Sequence, residues 1–148
     1  MRPLLKSPCR RTPGGAKTSG PRSDASKIEL AMTLNKQTVQ KYMDAFTRTD
    51  HAEILSCLTD DVEWLIPGAF HTKGKDEFDK QIEGEGFTGH PSIQVTRMIE
   101  ENGVVVAEGN VRAARKDGST LRAVFCDVFV MRDAKIAHLT SYLMEVPA

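Results

Sequence analysis

Tyr42 and Asp127 each set a polar group within an apolar pattern. Between residues 119 and 131, Leu121, Ala123, Phe125, Asp127, Phe129 and Met131 share one face of a strand, because successive side chains point to opposite sides. A carboxyl between two phenylalanines on such a face must be hydrogen-bonded or neutral, since burial penalises its charged form. Its pKa is expected to rise, leaving a protonated acid able to donate. Tyr42 belongs to an apolar stripe with Val39, Met43 and Phe46, spaced i, i+3, i+4, i+7, where its hydroxyl needs a partner. Two such donors could hold a carbonyl or enolate-like oxygen. His71 is the candidate base, if the short stretch Phe70-His71 turns it inward.

Other chemistries lack their residues. There is no HExxH, no CxxC and no other His/Asp/Glu spacing for a metal; Asp76, Glu77 and Asp79 fall on a helix surface, and no cofactor is implied. No glycine-rich phosphate loop and no Ser-His-Asp elbow occur. Residues 1–31 carry seven Lys/Arg against two acids, and residues 32–148 thirteen against eighteen. An acidic domain lacks the clustered basic face that nucleic acid requires. No apolar run is long enough for a membrane span. Cys9, Cys57 and Cys126 are odd in number, and Cys57 and Cys126 have apolar neighbours, as expected of reduced thiols in a cytoplasmic protein.

The elements that must position these groups follow from periodicity. Residues 1–31, rich in Pro, Gly, Ser and basic side chains, read as a disordered basic tail or upstream extension, and 32–148 as one domain. A helix is predicted from Asn35, as N-cap, to Thr49, and a second from Asp50 through Leu58, with Glu53 completing a reciprocal cap. Val62, Trp64 and Ile66 alternate as a strand closed by Pro67-Gly68, and a third helix runs from Gly74 to about Gly84. Four strands follow, at about 91–101, 103–115, 119–131 and 134–145, divided by Asn102-Gly103, Asp117-Gly118 and Arg132-Asp133-Ala134. Helices on one face of an antiparallel sheet make an α+β fold.

This order, with VQKYMDAFTRTD at 39–50, LTDDVEWLIPG at 58–68, Gly74, and CDVFVMRDAKIAHLTSYL at 126–143, resembles the nuclear transport factor 2-like superfamily in its SnoaL-like and ketosteroid isomerase-like branch. The resemblance implies a cone-shaped fold, three helices on a curved, mostly antiparallel sheet. It matches Tyr42 to the isomerases' oxyanion-binding tyrosine and Asp127 to their protonated aspartic acid. Their general base falls at Ile66, which cannot take a proton. The match turns Leu139, Ser141 and Leu143 toward the pocket and His138 and Tyr142 outward. Trp64, Ile66, Phe125, Phe129, Leu139 and Ser141 are thus its expected walls. Arg112-Ala-Ala114 and Ser141 stand where the superfamily's epoxide hydrolases carry Arg-x-Asp and a second Asp. Its polyketide cyclases place an acid on the last strand, where this chain reads Leu139-Thr-Ser-Tyr.

The residues thus support a SnoaL-like domain whose apolar pocket, with a Tyr/Asp donor pair, takes a small apolar or carbonyl-bearing molecule, turnover being undecided. An isomerase or lyase with a non-standard base, His71, is the second function. A non-enzymatic dimeric accessory module is the third, since Val124, Cys126, Val128 and Val130 form an apolar outer face suited to a homodimer.

Overall fold

The structure, a computed structural model, describes residues 32–147, so the tail expected at 1–31 lies outside the described residues. Helix α1 spans Leu34–Arg48 and α2 His51–Ser56; strands β1 (Leu58–Ile66) and β2 (Phe70–Lys73) precede α3 (Lys75–Ile82). Strands β3 (Phe87–Glu101), β4 (Val104–Arg115), β5 (Thr120–Arg132) and β6 (Lys135–Glu145) complete one six-stranded sheet in the order β2-β1-β6-β5-β4-β3. Every neighbouring pair is antiparallel except β1 and β6.

Helix α1 begins two residues earlier than an Asn35 cap predicts. Thr33, not Asn35, is the N-cap, accepting from the Lys36 amide at 3.1 Å. The Asn35 amide instead donates to Glu100 Oε1 at 2.7 Å. Thr49 closes the helix in the left-handed region, at φ 54°. Asp50 caps α2 as expected, accepting from the Glu53 amide at 3.1 Å, but the Glu53 carboxylate turns to Arg48 instead of reciprocating. Helix α2 also stops short of Leu58. That residue opens β1, four residues before the alternating pattern begins, because it pairs with Ile136 of β6 while the Cys57 carbonyl accepts from the Ile136 amide at 2.8 Å.

The turns fall where expected, although at Asp117-Gly118 only Gly118 takes positive φ. Asn102 and Gly103 both take positive φ, as do Asp133 and Ala134, which suits the twist of a two-residue hairpin. The inner face of the sheet and the helices share one core, with Val39, Ile54, Phe78, Phe129, Ile136 and Leu139 fully buried. Strands β3 and β4 bend where Thr96 is an extra residue between the pairs Val95↔Gly109 and Arg97↔Glu108. Gly109 makes the bend possible: a Cβ there would lie 2.0 Å from the Gln94 carbonyl oxygen and 2.7 Å from the Phe125 ring.

Candidate functional site

Between α1, α3 and the inner sheet face lies a cavity of about 660 Å³, within the range of small-molecule sites. Each wall comes from alternation. Strand β5 turns Leu121, Phe125 and Asp127 inward, β4 contributes Val111 and Ala113, β6 contributes Ser141 and Leu143, and β1 contributes Trp64 and Ile66. Tyr42, Met43 and Phe46 of α1 close the opposite side. The Trp64 indole stacks on Phe78, with centroids 4.6 Å apart and planes 27° from parallel, so it is a fixed wall.

Asp127 is the unusual group. It is 8% exposed, and its Oδ1 is buried with no hydrogen-bond partner. Thr59 and Thr72 also have buried hydroxyls without partners, but neither lines the cavity. Burial raises the Asp127 pKa to about 7, opposed by the Ser141 hydroxyl on the facing strand position. Ser141 Oγ in turn accepts from Trp64 Nε1 at 3.0 Å. Tyr42 is held neutral: burial, then the nearby Asp127 and Cys57, push its pKa well above the ordinary value. Its ring packs edge-on against Phe129, centroids 5.5 Å apart.

Of the expected walls, Trp64, Ile66, Phe125 and Ser141 line the cavity with Tyr42 and Asp127. Phe129 and Leu139 do not. Both are fully buried toward the closed end, where Phe129 supports the Tyr42 ring. His71 is also displaced from its expected place. It pairs with Leu65, on the outer face, so it is Thr72, opposite Trp64, that turns inward. His71 Nε2 lies 2.9 Å from Glu63 Oε2, away from the cavity. Arg112 stands opposite Arg122 on the solvated face, and Glu108 pairs with Arg97 at 2.7 Å.

The mouth is the part that residue patterns missed. Gln81, Glu83, Glu85, Thr88, His90 and Lys116 form a polar rim, and His90 Nδ1 lies 2.8 Å from Thr49 Oγ1. The cluster Gly84, Gly86 and Gly89 marks a loop there, but its sequence does not say that the loop borders a cavity. Among the described residues, the proton acceptors on the lining besides Asp127 are these rim groups Glu83, Glu85 and His90. Ile66 lines the wall without one.

A family model described as a SnoaL-like domain matches residues 39–139. The chain belongs to the SnoaL-like family. Among solved structures it is similar to a nuclear transport factor 2-like protein of unknown function from Burkholderia pseudomallei K96243, at 21% identity and TM-score 0.71, covering 76% of this chain and 92% of that one. It is similar also to TerC, crystallised with polyporic acid, at 21% identity and TM-score 0.68, covering 74% and 90%. A third is an epoxide hydrolase of the LEH-like kind from M. tuberculosis, at 15% identity and TM-score 0.66, covering 75% and 83%. A comparison with curated protein sequences finds no match. These likenesses give the SnoaL-like chain the nuclear transport factor 2-like fold, with three helices and a six-stranded, mostly antiparallel sheet. Among the described residues no helix is long and apolar enough to cross a membrane.

Proposed function

We propose that this SnoaL-like domain binds one small, mainly apolar molecule through a carbonyl or hydroxyl oxygen, held by the Asp127 carboxyl and the Tyr42 hydroxyl. The observation that carries this is the Asp127 carboxyl, buried on the lining of a cavity whose inner walls are mainly aromatic and aliphatic side chains. The protonated carboxyl donates, and the apolar walls supply the area. Ile66 at the expected base position favours binding over ketosteroid isomerisation. Proton transfer, if the ligand is turned over, falls to Asp127 itself, whose pKa of about 7 suits both directions near neutral pH.

The test uses Trp64, the single tryptophan, which lines the cavity. Titration with 2-naphthol, an apolar hydroxyl-bearing probe, should change its emission saturably. Asp127→Leu should weaken binding about tenfold, the loss of one hydrogen bond to a buried group. Unaltered affinity in that variant would remove Asp127 from the site.

The outer sheet face supports a homodimer as well. Val124, Val130, Tyr142 and Met144 are 41%, 42%, 54% and 69% exposed there, more apolar surface than a solvated sheet face requires.

A further inference from the structure

We propose that Glu63, His71 and His138 form a binding site for a divalent transition metal, Zn²⁺ being the reference ion, on the outer face of the sheet. The three residues are remote in sequence and converge only through strand pairing. Parallel pairing sets Glu63 of β1 against His138 of β6, and the β1–β2 hairpin sets His71 beside Leu65, one outward step from Glu63. Glu63 Oε2 lies 2.9 Å from His71 Nε2 and 3.8 Å from His138 Nε2, and one ligand atom from each residue falls within 4.8 Å of the others. Ligands around one tetrahedral zinc sit about 3.4 Å apart, from metal–ligand lengths of about 2.1 Å. The two measured separations bracket that value, so small rotations of half-exposed side chains complete the geometry.

The chemistry of the donors selects the ion. Two imidazoles and one carboxylate suit Zn²⁺, Ni²⁺, Co²⁺ or Cu²⁺, whereas Mg²⁺ and Ca²⁺ prefer oxygen shells. The ligands stand on three adjacent paired strands, which fixes their spacing better than a loop would. Lys73, opposite Glu63 on β2, is the cation that opposes binding, but it is exposed and its long side chain can swing into solvent. Three protein ligands leave one position to water, so the ion should exchange.

Isothermal titration of the full chain with zinc chloride in a non-chelating buffer near neutral pH tests the site. One ion per chain should bind, and His138→Ala and Glu63→Gln should each weaken it at least about tenfold with an unchanged melting temperature. Should a variant fold poorly, Zn²⁺-induced shifts of the His71 and His138 imidazole resonances in the unaltered chain report the same contact. No saturation by about 100 μM Zn²⁺, affinity that survives both substitutions, or a thiolate charge-transfer band with Co²⁺ would each overturn the proposal.

Discussion

Trp64 Nε1 donates to Ser141 Oγ across 3.0 Å, a buried link from β1 to β6 at the wall of the cavity. Ser141→Ala removes the acceptor and leaves the indole N–H unsatisfied, an expected loss of about 1–3 kcal/mol in denaturant unfolding. It also removes the one contact that lowers the Asp127 pKa, so that pKa should rise further. Carboxyl chemical shifts followed through a pH titration would show it.

Asp127 should make stability depend on pH. Its folded pKa is raised, from an ordinary value of 3.8 to about 7, so between those values the folded state binds a proton that the unfolded state has released. Stability therefore falls as pH rises through this window, with a slope of at most about 1.4 kcal/mol per pH unit, and levels off above it. Asp127→Asn should flatten the slope and be more stable than the unaltered chain at about pH 8, by about 2 kcal/mol. Equal slopes in thermal or urea unfolding would contradict this assignment.

Gly109→Ala should be the most damaging small substitution in the sheet. The new methyl meets the Gln94 carbonyl, which cannot move without breaking the β3–β4 pairing, and the Phe125 ring behind it. A cost of about 3 kcal/mol is expected, with loss of 2-naphthol binding because Phe125 is a cavity wall. Gly86→Ala, where nothing lies within 4 Å of the added methyl, is the matching control and should stay near neutral.

A homodimer through the outer face should appear as twice the chain mass in native mass spectrometry. Val124→Lys places a charge opposite Met144 and beside Tyr142 on that apolar surface, outside the core, and should shift the population to monomer. A monomer in the unaltered chain at micromolar concentration would exclude the dimer.

Local patterns made much of this legible. Asp127 could be placed among inward residues because period-two alternation along 119–131 is unbroken, and the hairpins because Asn-Gly and Asp-Gly prefer positive φ. The pairing Trp64↔Thr72 could not be seen. Two residues of alternation in Phe70-His71 leave the side open, and only the register with β1 turns His71 outward. Depth was hidden for the same reason. Phe129 and Leu139 share a face with Asp127 and Ser141, yet they lie toward the closed end, and no spacing along a strand reports where a cavity stops. Glu63, His71 and His138 come together only through pairings that span most of the domain.

The place of β6 between β1 and β5 has a consequence for how the molecule is made. Strands β3 to β6 zip by successive local hairpins, but β1 must wait for a strand that begins at Lys135, nearly eighty positions later, as the pair Leu58↔Ile136 shows. On the ribosome, α1, α2 and the β1–β2 hairpin leave the exit tunnel first and have no sheet to join. Trp64 therefore lacks its β6 neighbours Leu139 and Ser141 until that strand is synthesised, and its full burial should be the slow event in refolding. Emission from this single indole would then time the closing step, lagging behind the circular dichroism of the meander.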